Sequence, residues 1–157
     1  MTRIRTALLA AFLVACQNRV DPQVVALVGT ERINREVTLT HIVPQPVFAG
    51  LEGSYDILLV NQSQSQYIFP TDFGVLLLVY SEKAGDWRHV ENFSTYLPLN
   101  GSIVLEPLRD WPDNEELFSV WPVIERTSDD TLLRVTVVGH DEDGEAVAAY
   151  VDIPLGE

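Results

Sequence analysis

The chain has 157 residues, with 10 basic and 23 acidic side chains and a formal charge of −13. That balance excludes the clustered lysine and arginine surface that nucleic-acid binding needs, and Lys83 is the one lysine present. A single cysteine rules out an internal disulfide framework, and the length suits one domain large enough to fold without one.

Met1 to Thr6 carries Arg3 and Arg5 and no acid, and Ala7 to Ala15 is uninterrupted apolar sequence. A basic start followed by about 7–15 apolar residues is the pattern of a secretory signal. At 1.5 Å per residue the apolar run reaches about 14 Å, too short for a hydrocarbon core of about 30 Å. The run ends in Leu13-Val14-Ala15-Cys16, which resembles the lipobox of bacterial lipoprotein signal peptides. The resemblance implies a cleaved signal peptide over 1–15, acyl chains such as palmitate carried on Cys16, and a membrane anchor that holds the protein in the cell envelope outside the cytoplasm. It also implies that Gln17, where an aspartate would retain the protein at the inner membrane, permits outer-membrane sorting in a bacterium with two membranes. Acylation would consume a thiol that otherwise invites wrong pairing in an oxidising compartment. Without residues 1–15, which hold Arg3 and Arg5 and no acid, the 10 basic residues fall to 8 against 23 acidic, a charge of −15. Such a body is not drawn to an anionic membrane by its own charge, which leaves the lipid as the attachment.

Residues 16–35 read as the lipidated cysteine and a tether, with a possible first strand at 24–28, and residues 36–157 as the folded domain. From Glu36 onward, strand patterns follow one another between turn formers. Val37 to Val43 alternates and stops at Pro44. Tyr55 to Asn61 is followed by a polar stretch, and Tyr67-Ile68-Phe69 is closed by Pro70. Gly74 to Tyr80 is apolar on both parities, which predicts a central strand covered on both faces. Ala84-Gly85-Asp86 turns the chain into Trp87 to Glu91, and Asn100-Gly101 precedes Ser102 to Leu105. Leu117 to Ile124 alternates, with Pro122 marking an edge or a bulge. In the last hairpin the pattern pairs Val137 with Val147 and Leu133 with Val151 across His140 to Gly144, and sets Arg134 opposite Tyr150 on the outer face.

The result is an all-β reading: an antiparallel, immunoglobulin-like β-sandwich of about seven to nine short strands. Leu59-Val60-Asn61-Gln62-Ser63, Phe73-Gly74-Val75-Leu76-Leu77, Gly85-Asp86-Trp87, Leu97 to Ser102 and Leu133 to Val137 together resemble bacterial extracytoplasmic immunoglobulin-like domains. The resemblance covers about half the chain and lacks the Cys…Trp…Cys core of antibody domains. The Asn-x-Ser and Gly-x-Trp features are also similar to those of a small sandwich proteinase-inhibitor family.

Motifs for chemistry are sparse. There is no Gly-x-Ser-x-Gly elbow, no Ser-x-x-Lys and no phosphate-binding glycine loop. His41, His89 and His140 are scattered, and His41 shares the parity of Val37 and Leu39, which predicts partial burial. His140-Asp141-Glu142-Asp143 supplies too few spaced oxygens for calcium and reads as a hairpin turn. Asp110, Asp113, Glu115 and Glu116 form one acidic loop, and Asp129 and Asp130 another. Acid pairs serve catalysis only when their environments separate them. Asn61, Asn92 and Asn100 each begin an Asn-x-Ser triplet, read as turn chemistry. Of three tryptophans, Trp121 in its apolar strand reads as core, whereas Trp111, in Arg109-Asp110-Trp111-Pro112-Asp113, is the candidate partner contact.

The expectation is a lipid-anchored, non-enzymatic binding or accessory module with no metal and no cofactor, whose protein or envelope partner is left open. The alternatives are a proteinase-inhibitor-like module and, in another class, a hydrolase or metal-dependent enzyme using the acidic loops. Cys16→Ser is expected to abolish incorporation of labelled fatty acid and to release the protein from membranes on fractionation; an unchanged membrane fraction would remove the anchor reading.

Overall fold

A computed structural model describes residues 20–43, 53–93, 101–125 and 127–155. Cys16, the leader and Asn100 lie outside these residues. The described chain is all-β and antiparallel, with two sheets enclosing one apolar core. The smaller sheet has the order β1 (Val37–Ile42), β2 (Tyr55–Asn61), β7 (Glu115–Val120). The larger is built on β9 (Asp130–Asp141), a 12-residue strand. Along one edge, β9 pairs with β10 (Ala146–Pro154). Along the other it takes two partners in succession: β4 (Leu76–Ser81) against its first half and β3 (Tyr67–Pro70) against Asp141 and His140. β6 (Ser102–Leu105) extends the sheet beyond β3, and β5 (Asp86–Asn92) then β8 (Pro122–Val123) extend it beyond β4. Ten strands are therefore described, one more than the upper expectation, because the Leu117–Ile124 pattern is divided. Trp121 separates β7 from β8, and there the chain passes from one sheet to the other.

Period-two alternation places the core. Val37, Leu39, Ile57, Leu59, Phe118 and Val120 of the smaller sheet face Leu77, Val79, Leu133, Val135, Val137 and Ala149 of the larger, all buried. As expected for a central strand, β4 is buried on both faces from Leu77 to Tyr80. The corner before it is tight. Phe73 and Gly74 both have positive φ, 58° and 56°, which for a bulky residue costs on the order of 1–3 kcal/mol. Burial of the Phe73 ring, stacked on Phe118 of the opposite sheet at 4.2 Å, offsets that strain. A Cβ on Gly74 would lie 2.5 Å from the Val138 carbonyl oxygen, so only glycine allows the corner to approach β9 this closely.

The final hairpin forms with a different register. Val137 pairs with Ala149 and Leu133 with Ile153, so Arg134 lies opposite Asp152 rather than Tyr150. The turn is shorter than the sequence pattern suggests: the Asp141 amide still donates to the Glu145 carbonyl, and Asp141 Oδ1 accepts from the amides of Asp143 and Glu145. The shift is two residues, which preserves the parity of every side chain.

Residues 24–28 are not a strand. They belong to α1 (Pro22–Val28), capped by Asp21, whose Oδ1 accepts from the Gln23 amide at 2.7 Å. Asp at the cap with Pro at the first helical position is a start signal that seven residues of mixed apolar pattern obscure. The helix rests on the outer face of the larger sheet. Val24 and Val28 bury against Ala148, flanked by Val20, Ile33, Leu76 and Val138. The small side chain of Ala148 lets the helix approach the strand. The folded unit thus extends back at least to Val20, well into the expected tether. Ile33 and Asn34 then run beside β10: the Asn34 amide donates to the Ala148 carbonyl, and Asn34 Oδ1 accepts from the Tyr150 amide. That contact blunts an otherwise open sheet edge.

On the same outer face Arg134 is 0% exposed, a correction to the solvated position its parity suggests. Its Nε and Nη2 each donate to Asp152 at 2.7 Å, and its guanidinium carbon lies 4.2 Å from the Trp87 ring centre and 4.3 Å from that of Tyr150. A planar, weakly hydrated cation suits a slot between two rings, where each contact is worth up to about 2 kcal/mol once desolvated. Asp152→Asn leaves the guanidinium buried without its carboxylate. The expected cost is about 3–5 kcal/mol, a fall in Tm of roughly 10–15 °C by calorimetry. The double replacement Arg134→Met with Asp152→Leu recovers most of that loss. A Tm unchanged in Asp152→Asn would show that the pair contributes nothing.

Candidate functional site

At the Asp141 end of β9, three loops meet: residues 62–66 after β2, residues 106–114 before β7, and the turn between β9 and β10. Asn61, at the end of β2 and 0% exposed, organises the first two. Its Nδ2 donates to the carbonyls of Ser65 at 2.7 Å and Glu106 at 2.8 Å, and its Oδ1 accepts from the Ser63 amide at 2.9 Å. Its backbone amide donates to the Asn114 carbonyl, and Asn114 Nδ2 donates back to the Asn61 carbonyl. The Leu108 amide donates to the Ser63 carbonyl, and the Glu106 amide to that of Asp113. Buried carbonyls of irregular chain need such partners. The Asn-x-Ser triplet at Asn61 is turn chemistry of this kind. Asn92 serves a similar purpose, its Oδ1 accepting from the Trp121 amide.

Between the loops lies a depression of about 400 Å³, walled by Gln66, Glu106, Arg109, Asp110, Glu142 and Asp143 among others. The two acidic segments that are 31 residues apart in sequence, at Asp110 and Asp141 to Asp143, thus converge on one concavity. Much of the carboxylate capacity is already used within the protein. Both oxygens of Glu106 accept from Gln66 Nε2, at 3.0 and 2.9 Å. Asp141 accepts two turn amides and lies 3.6 Å from Arg32, which also pairs with Glu36 and Glu145. Burial lowers the Arg32 pKa, but the hydrogen bond to Glu36 and the charges of Glu36, Glu145 and Asp141 outweigh it and raise the net value. Burial likewise pushes the hydroxyl of Tyr67, at the start of β3, above its ordinary range.

Beside the depression, Leu108 to Asp110 form a single 3-10 turn, and the next residue, Trp111, is 72% exposed. Its exposure is what the polar context of its loop suggests, and Leu108 adds a second exposed apolar side chain nearby. An exposed indole rimmed by polar groups has the makeup of an interface anchor. Trp87 and Trp121 are half-buried; for Trp121 this corrects the core reading, because it occupies the crossing between sheets.

Other candidate residues do not gather here. Asp130 is buried at the far end of β9, roughly 36 Å away along the strand, where it pairs with Arg88 at 2.6 Å and accepts from the Thr127 amide. His41 is half-buried, as its parity suggests, beside the Tyr55 ring; His89 lies 3.3 Å from Asp21; His140 is exposed. Among the described residues, no three His, Cys, Asp or Glu side chains are grouped to hold a metal ion, and no helix is long and apolar enough to cross a membrane. The Asn-x-Ser triplet marks Asn61 as a turn former without showing which loops it joins, and the bridge from Gln66 to Glu106 has no sequence signature beyond a polar loop.

No protein-family model matches the chain, and no curated protein matches it. Among solved structures, it is similar to Northeast Structural Genomics Consortium target SoR45 at 15% identity over 77% of this chain and 83% of that one, with a TM-score of 0.41. It is also similar to the archaellum periplasmic stator protein FlaG from Sulfolobus acidocaldarius, at 11% identity over 73% of this chain and 97% of that one, with a TM-score of 0.35.

Asn61→Ala is expected to remove the side-chain hydrogen bonds to the Ser65 and Glu106 carbonyls and from the Ser63 amide, and to cost about 3 kcal/mol. Hydrogen exchange then quickens at least tenfold in residues 62–66 and 106–114 while the amides of β9 keep most of their protection. Equal loosening throughout the chain would mean that Asn61 is a general core residue and not the organiser of this end.

Proposed function

We propose that this protein is a lipid-anchored, extracytoplasmic, non-enzymatic binding module of a bacterial envelope, and that it meets its partner with the loop end around Trp111. The single observation that carries the reading is the convergence of three loops, two of them tied together by Asn61, around an exposed tryptophan and an acidic depression. A rigid indole gives contact area at little conformational cost, and an acidic concavity beside it favours a partner surface bearing lysine or arginine. The prior engagement of Glu106 and Asp141 supports recognition over acid–base chemistry.

We further propose an immunoglobulin-like relationship, in which the orders β1-β2-β7 and β10-β9-β4-β5 would take the places of strands A-B-E and G-F-C-C′ of that fold. On this correspondence the loop after β2 and the β9–β10 turn take the places of the B–C and F–G loops, which share one end of an immunoglobulin domain and form part of the binding surface in antibodies. The leader and Cys16 supply the location: an acyl anchor would keep the module at the membrane surface.

A photo-crosslinking residue placed at 111 in intact envelopes is expected to capture one protein partner, and the same residue at 117, on the opposite side of β7 from the core, none. Trp111→Ala is expected to reduce capture from a neighbouring loop position at least tenfold with Tm changed by less than about 2 °C. Capture from 117 with none from 111 would overturn the assignment of this end.

A further inference from the structure

We infer that the face of the larger sheet carrying α1 lies against the bilayer, with Leu27 in contact with the lipid surface. The inference rests on the proposed lipidation of Cys16 and adds an orientation to it. Only Gln17, Asn18 and Arg19 separate Cys16 from Val20, so four residue steps, even fully extended, span about 14 Å. A domain of this size is about 36 Å across. The folded body gives back no slack, because the chain is fixed to the sheet from Val20 onward. Val20 packs with Val24 and Ala148; Asp21 is buried, caps α1 and lies 3.3 Å from His89 of β5. The leash therefore ends on the outer face of the larger sheet, and the membrane must lie within about 14 Å of that point.

The surface there fits a membrane contact made at close range. Leu27 is 63% exposed on the outward side of α1. Beside it lies an open groove of about 390 Å³ whose apolar lining comes from Val24, Leu27, Val75, Leu76 and Val138, with Asp72 and Gln23 at its edge. The protein's overall acidity opposes anionic headgroups, so this face has little affinity of its own. A leash this short supplies the missing term, because it holds the face at a high effective concentration against the bilayer. Strands run in the plane of the sheet, so the loop end with Trp111 then points sideways along the membrane. A partner that it meets is one held at, or reaching down to, the same membrane surface.

The test exploits the single cysteine. Once Cys16 is acylated, Leu27→Cys or Leu117→Cys introduces the one free thiol for an environment-sensitive fluorophore. Leu117 is the comparison site, 59% exposed on the outer face of the smaller sheet, on the far side of the molecule. The lipidated variants are reconstituted in phosphatidylcholine vesicles containing a nitroxide-labelled phospholipid. Quenching at 27 is expected to exceed that at 117 at least threefold, and to fall to the level at 117 when about twenty glycine and serine residues are inserted after Arg19. Equal quenching at the two sites, or quenching at 27 that survives the insertion, would overturn the inference while leaving lipidation intact. Mass spectrometry showing Cys16 unacylated in the membrane-bound protein would remove both together.

Discussion

Everything in this molecule is referred to β9. At 12 residues it is the longest described strand, and it is hydrogen-bonded along both edges over most of its length, to β10 on one side and to β4 then β3 on the other. That constraint fixes which residues face inward and holds Leu133, Val135 and Val137 in the core. It also brings Arg134 under the rings of Trp87 and Tyr150. Two glycines permit the arrangement. Gly74 lets the β3–β4 corner pass the Val138 carbonyl, and a Cβ on Gly139 would meet the Ile68 carbonyl oxygen at 2.7 Å. The far end of the same strand delivers Asp141 to the loop end, so the geometry of the candidate site is inherited from the register of β9.

The two faces of the larger sheet are put to different uses. The inner face is ordinary apolar core. The outer face combines a buried ion pair between two rings with a small second core under α1, and neither is solvated in the way an amphipathic strand pattern suggests. A buried pair of charges adds little net stability over an apolar pair of the same shape, but it penalises any register in which Arg134 loses Asp152. Specification of the β9–β10 register is a role well suited to it, since the alternative pairing two residues away preserves every inward side chain and would otherwise compete.

Much of the architecture is legible in the sequence because it rests on period-two alternation. The strands from Val37, Tyr55, Leu76, Trp87 and Leu133 lie where their patterns place them, and β4 is doubly buried as its unbroken apolar run suggests. What escapes is set by long-range partners. The hairpin register depends on how far β9 extends before Asp141 turns the chain, and alternation is blind to a two-residue shift. The burial of Arg134 depends on Trp87, which is 47 residues away. The helix over Pro22–Val28 has a sound cap but too few turns for a periodicity, and it forms because Ala148 leaves room for it. Of the candidate site, exposure of Trp111 could be read from its polar neighbours. Convergence of the Asp110 and Asp141 segments could not, because it requires the order of strands in both sheets.

The proposed role of the protein depends on the loop end being the contact surface. Hydrogen–deuterium exchange of the protein in intact envelopes, set against the purified protein in detergent, addresses it directly. Added protection is expected to be confined to residues 62–66, 106–113 and 141–145, apart from any change at α1. Added protection on the outer face of the smaller sheet, around Leu58 and Leu117, with none at these loops, would contradict it.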